Sequence, residues 1–123
     1  MPTILETAAE EMISLGLPEE VREKMRLVLE EAFVNIIHYA YKDEKERPLE
    51  WQMTLEKGAL KVVIKDWGVA FDPCSFQAKV AEETPLQERA VGGLGIFFIK
   101  KIVDDMSYRR IDNCNELTLI KKL

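Results

Sequence analysis

The apolar positions of this chain change period along its length, and the changes divide it into elements. Ile4, Leu5, Ala8, Ala9, Met12, Ile13 and Leu15 recur at helical spacing and predict a first amphipathic helix over 4–15, which Gly16 ends. A second helix is predicted over 18–41, because Pro18 suits a first turn and Glu19 and Glu20 face the positive end of the helix dipole. Between Leu27 and Tyr41 apolar residues cover most of its circumference, so it should be largely buried. The period then drops to two. Leu49, Trp51, Met53 and Leu55 alternate with Glu50, Gln52, Thr54 and Glu56, and after a turn at Lys57-Gly58 the residues Leu60, Val62 and Ile64 have Lys61 and Lys65 opposite. This predicts a β-hairpin. Residues 74–91 hold no sustained period and read as a long lid loop with a short helix around 76–81. Ile96, Ile99, Ile102, Val103 and Met106 return to helical spacing and predict a third helix over 94–106. Two closing strands, 108–111 and 116–122, follow, with Asn113-Cys114-Asn115 as their turn.

Polar residues placed where the pattern wants apolar ones are the candidate chemistry. Glu31 and Asn35 interrupt the most apolar part of the second helix, one turn apart, so their side chains share a face and can converge on one object. Burying such groups without partners is costly, about 2–7 kcal/mol for a neutral polar group and more for a charge. A tie to backbone or exposure at the rim is the alternative reading, and His38 extends the stripe as an ordinary helix-surface residue. The parity of Leu60, Val62 and Ile64 puts Asp66 on the inward face at the end of its strand, either starting an Asx turn into Trp67-Gly68 or presenting an acceptor at the mouth of a pocket. Gly92-Gly93-Leu94-Gly95 opens the third helix, where a close backbone approach and unpaired N–H groups suit phosphate oxygens; a plain turn is the other reading. No Lys-Ser or Lys-Thr follows these glycines and no strand precedes them, so they are neither a P-loop nor a dinucleotide fingerprint.

Composition narrows the field. The 123 residues make one domain, 1–123, and 47% hydrophobic with 32% charged residues is ordinary globular material. A net charge of −5 argues against gripping a nucleic acid, whose affinity rests on neutralised phosphates. Two cysteines at unrelated positions and a single histidine exclude the usual structural zinc sites. No leader and no run long enough to span a membrane is present, so a cytoplasmic protein with no membrane attachment is expected.

The order of these features is more informative than any one of them. Glu30-Glu31-Ala32-Phe33-Val34-Asn35 on a buried helix comes first, then Asp66-Trp67-Gly68-Val69-Ala70-Phe71-Asp72-Pro73 after a strand, then a lid, and then Glu88-Arg89-Ala90-Val91-Gly92-Gly93-Leu94-Gly95-Ile96. This resembles the GHKL ATPase superfamily, and more closely its stand-alone anti-sigma factor serine/threonine kinases of bacterial partner-switching systems. The resemblance covers about 17–123 and implies an α/β (α+β) fold, a two-layer Bergerat-type sandwich whose mixed, mainly antiparallel sheet carries helices on one face. It implies ATP and Mg²⁺ as cofactors. Asn35 would hold Mg²⁺; Asp66 would accept from the adenine amine, with Thr118 in support; and Gly68 would let the purine approach the backbone. Gly92, Gly93, Leu94 and Gly95 would offer N–H groups to the phosphates, and Glu31 would act as general base toward a protein hydroxyl.

The implied partners are a STAS-domain anti-sigma factor antagonist as kinase substrate and a sigma factor as the sequestered protein, with a homodimer allowed. The chain departs from the family at Tyr39, where histidine is frequent, and at Ala70, where glycine or proline is usual. It also opens almost inside its first helix without the leading strand, which bears on dimerisation and partner binding. Two other functions stay open: an ATP-Mg²⁺ binding module with little or no phosphotransfer, and the ATP-binding half of a histidine kinase. The latter is disfavoured, because a phosphoacceptor helix does not fit in 123 residues.

Overall fold

The computed structural model describes residues 2–41, 48–75 and 93–123. Helix α1 (Pro2–Ser14) places Leu5, Ala8 and Met12 in the core at helical spacing. Gly16 then takes φ +76°, its N–H bonds to Ile13 O at 2.9 Å, and Leu17 N–H reaches back to Met12 O at 3.3 Å. This paired closure satisfies the last carbonyls and turns Leu17 into the core, and it needs the left-handed backbone that glycine adopts without cost. Helix α2 (Glu19–Asn35) starts one residue later than the sequence suggests, with Pro18 as its N-cap. At Ile36 the chain widens into a π-helical segment, Ile36–Tyr41, so the expected 18–41 helix is continuous in space and changes its winding near the end.

Strands β1 (Leu49–Glu56) and β2 (Ala59–Asp66) form the expected hairpin, joined by Lys57 and Gly58 at φ 50° and 77°, the backbone of a tight two-residue turn. After a 3-10 turn at Pro73–Ser75 and the undescribed stretch, helix α3 (Gly93–Ile102) leads into β3 (Asp105–Ile111) and β4 (Cys114–Lys122). The third helix therefore ends at Ile102 rather than 106. The cause is a competing ladder: Asp104 N–H bonds to Ile120 O at 2.8 Å, and its carboxylate accepts Lys122 N–H at 2.6 Å. That backbone bond holds the Asp104 carboxyl below its usual range. Asp105 and Met106 belong to the sheet.

The sheet order is β1-β2-β4-β3, and all three described pairings are antiparallel, so the parallel component of a mixed sheet is not found among the described residues. One sheet face, through Met53, Leu60, Val62, Ile64, Leu117 and Leu119, meets Met12, Met25, Leu29, Phe33 and Ile99 of the helices in a single core. Phe33 packs on Trp51 of β1 with ring centroids 5.8 Å apart. The opposite face carries Lys61, Lys65, Arg109 and Glu116, with Arg109 Nε 2.9 Å from Glu116. The structure is thus the expected two-layer α/β sandwich with helices on one face. The short helix expected near 76–81, the rest of the lid to residue 91, and Gly92 lie outside the described residues.

Candidate functional site

The apolar stripe that buries α2 also carries Asn35 inward, to 4% exposure, at the junction with the π-helical segment. Among the described residues nothing bonds its buried Nδ2. An unpartnered buried amide costs about 1–3 kcal/mol. Asn35 lines a pocket that opens to solvent, together with Ile36, Asp66, Phe71, Ile99 and Asn115. The pocket therefore lies between α2, α3 and the ends of β2 and β4, and two of the sequence-selected residues, Asn35 and Asp66, share it.

Asp66 is buried to 4% exposure, and both readings of it hold in the structure. Its Oδ1 accepts Gly68 N–H at 3.0 Å, which is an Asx turn, and accepts Asn115 Nδ2 at 2.8 Å. Among the described residues both hydrogen bonds to this carboxylate land on Oδ1, so Oδ2 remains as an acceptor at the pocket wall. Gly68 has an additional role that sequence does not show. A Cβ there would overlap the carbonyl of Ala40 and lie 2.9 Å from Ala40 Cβ, and next door Val69 N–H bonds to Ala40 O at 2.8 Å. The absent side chain lets the turn after β2 lie directly on the π-helical segment.

Glu31, one turn before Asn35, is half-buried, and its Oε2 lies where a Cβ on Gly95 would stand. Residues 64 positions apart are thereby brought together, a carboxylate against the first turn of α3. Burial, reinforced by the neighbouring charge of Glu30, raises the Glu31 carboxyl above its ordinary value. Gly93 is the first residue of α3 and Leu94 the second. That helix start is where backbone N–H groups lack intrahelical partners.

Thr118 needs correction. Asn115, Leu117 and Leu119 alternate as the buried positions of β4, so Thr118, paired with Val63 and Ser107, belongs to the other face of the sheet, away from the pocket. The closing turn also shifts by one residue. Asp112 and Asn113 are its central pair, with φ 50° and 64°, and Cys114 and Asn115 are already in β4. That places Asn115 opposite Asp66 in register. Sequence reading missed Asn115 because it looked like turn material. The left-handed pair Asp-Asn ahead of it was the only local signal.

No group of three or more His, Cys, Asp or Glu among the described residues could hold a metal ion. A Mg²⁺ shared with phosphates needs no such group, since it keeps waters and takes one or two protein oxygens. The unpartnered Asn35 amide fits that demand, because a half-turn of the amide exchanges its N and O. No helix among the described residues is long and apolar enough to cross a membrane.

Comparison with known proteins agrees with this geometry. Residues 1–121 match the family described as the histidine kinase-like ATPase domain. The chain is 24% identical over 108 residues to the serine-protein kinase RsbW of Bacillus subtilis (strain 168), covering 85% of this chain and 66% of that one. It is 28% identical over 95 residues to the serine-protein kinase RsbW of Bacillus cereus (strain G9842), covering 75% and 59%. This chain thus spans about three fifths to two thirds of the length of these relatives. Among solved structures it is similar in fold to the histidine kinase domain of the blue-light activated histidine kinase of Erythrobacter litoralis EL346, with a TM-score of 0.59 at 16% identity, over 87% of this chain and 46% of the other.

Proposed function

The chain belongs to the histidine kinase-like ATPase domain family, and on that premise we propose that it is an ATP-dependent serine/threonine protein kinase that also acts as an anti-sigma factor. Its acceptor is a STAS-type antagonist and its sequestered partner a sigma factor. The observation that carries this reading is the meeting of the unpartnered Asn35 amide and the buried Asp66 carboxylate in one pocket, with Glu31 one turn away against Gly95. A pure recognition surface has no need of an orphaned buried amide. The serine-protein kinases similar to this chain favour a hydroxyl acceptor over histidine.

In this reading Asp66 accepts from the adenine amine, and Gly93 with its neighbours in the Gly92–Gly95 stretch holds phosphate oxygens on backbone N–H groups. Asn35 holds Mg²⁺, which when bound neutralises charge on the phosphates. Glu31 takes the proton of the acceptor hydroxyl as its oxygen bonds to the terminal phosphorus, and the bond to the bridging oxygen breaks to release ADP. A carboxyl raised by burial is a better base near neutral pH than an exposed one. The protein works in the cytoplasm, and a homodimer is compatible with β1 and β3 as the outer strands of the sheet among the described residues.

Calorimetric titration with ATP, with and without Mg²⁺, tests the site. Mg²⁺-dependent binding is expected in the wild type, loss of that dependence in Asn35→Ala and weaker binding in Asp66→Asn. Phosphotransfer to serine and histidine acceptor proteins follows. Label on histidine would sink the kinase reading, whereas Mg²⁺-ATP binding with no transfer at all would leave a partner-switching module that uses ATP only to set its shape.

A further inference from the structure

The Asn115 side chain uses its whole hydrogen-bonding capacity. Its Nδ2 donates to Asp66 Oδ1 at 2.8 Å and to Val69 O at 2.8 Å, and its Oδ1 accepts from Tyr108 Oη at 2.5 Å and from an Arg110 guanidinium nitrogen at 3.0 Å. A primary amide has two donor hydrogens and about two acceptor lone pairs, so nothing is left over. The partners also fix which end is which. A carboxylate and a carbonyl can only accept, and a guanidinium can only donate, so the amide cannot turn over without losing bonds at both ends. Asn115 is buried, at 4% exposure, and the same Arg110 nitrogen donates to Gly68 O at 2.9 Å, tying the turn after β2 to the amide that braces it.

We propose that Asn115 is a positioning residue that sets the purine specificity of the site by locking Asp66. This rests on the nucleotide-site reading above. With Gly68 N–H and Asn115 Nδ2 both on Oδ1, that oxygen has no lone pair to offer a ligand, and Oδ2 alone meets the base. A carboxylate held this way is an acceptor only. It matches the exocyclic amine of an adenine and opposes the carbonyl oxygen that hypoxanthine or guanine carries at the same ring position. Tyr108 and Arg110 act one step further out, by holding the amide in its single orientation. Without Asn115 the carboxylate is free to rotate, so Oδ2 is no longer held toward the amine position of the base. Discrimination between the two bases then falls, while the phosphate end of the site, on α2 and α3, is unaffected.

The test is calorimetric titration of the full chain with ATP and with ITP, which differ at that edge of the base and keep the same ribose and phosphates. The wild type is expected to prefer ATP. Asn115→Leu is expected to reduce the ATP-to-ITP affinity ratio by about tenfold or more, the effect of one hydrogen bond to a charged group. Adding Asn115→Leu to Asp66→Asn should leave the ratio where Asp66→Asn alone puts it, an outcome that a general loss of packing does not produce. If thermal melting shows that Asn115→Leu does not fold, Tyr108→Phe removes one of the two donors on Asn115 Oδ1 and carries the same test with a smaller fall. An unchanged ratio in a folded variant overturns the positioning role and leaves the nucleotide site standing. Absence of ATP binding by the wild type overturns the site and this proposal with it.

Discussion

Replacing Gly68 by alanine adds one methyl group at a place where the structure has backbone. The new Cβ would overlap the Ala40 carbonyl and come within 2.9 Å of Ala40 Cβ, and none of these atoms can rotate away. The turn must therefore lift off the π-helical segment, stretching the 2.8 Å bond from Val69 N–H to Ala40 O. Overpacking of this kind costs about 1–3 kcal/mol and the weakened bond about 1 more, for a total of about 2–4 kcal/mol. For 123 residues, an unfolding entropy near 2.1 cal/mol/K per residue gives about 0.26 kcal/mol/K, so the melting temperature should fall by about 8–15 °C. The matched control is Gly95→Ala. There the atoms nearest the added Cβ belong to Glu31, the carboxylate at the free end of its flexible side chain being closest, and alanine is the better helix former by up to about 1 kcal/mol. Gly95→Ala should melt within about 3 °C of the wild type or above it, and lose phosphotransfer because Glu31 is displaced. Scanning calorimetry of both variants decides the matter. A Gly68→Ala protein that melts within about 3 °C of the wild type would refute the packing of this turn on Ala40.

Further outcomes at three positions follow from the same geometry. Asn35→Leu removes an unpartnered buried amide at nearly constant volume, so melting of the ligand-free protein should rise by about 4–12 °C, at about 1–3 kcal/mol, while Mg²⁺-ATP binding is lost in titration. Burial raises the Glu31 carboxyl, so phosphotransfer should decline as pH drops through that raised value, at higher pH than an ordinary glutamate gives, and Glu31→Gln should abolish the reaction. The linked stability has the opposite sense: a raised folded-state pKa contributes stability below the ordinary glutamate value and loses it as pH rises through the raised one, so Glu31→Gln should out-melt the wild type at neutral pH and not in acid. Thr118→Val, on the far face of the sheet, should leave ATP affinity in titration within about twofold of the wild type, less than 0.5 kcal/mol.

The sequence by itself determined the features that depend on consecutive residues. Helical spacing put Glu31 and Asn35 on one face of α2, strand parity turned Asp66 inward at the end of β2, and the glycines marked the start of α3, because each follows from the local period of the backbone. The lengths of β1 and β2 and their turn at Lys57-Gly58 were legible for the same reason. Only tertiary structure decided what those side chains meet. Asn115 faces Asp66 across 49 residues because the β2–β4 register pairs them and because the left-handed Asp112-Asn113 turn ends early enough to leave Asn115 inside β4. The end of α3 at Ile102 was settled by Asp104 joining the distant strand β4, against a helical period that continued to Met106. Gly68 gave no local sign of its contact with Ala40, nor Glu31 of its contact with Gly95, since two elements close in space leave no periodicity in the chain between them.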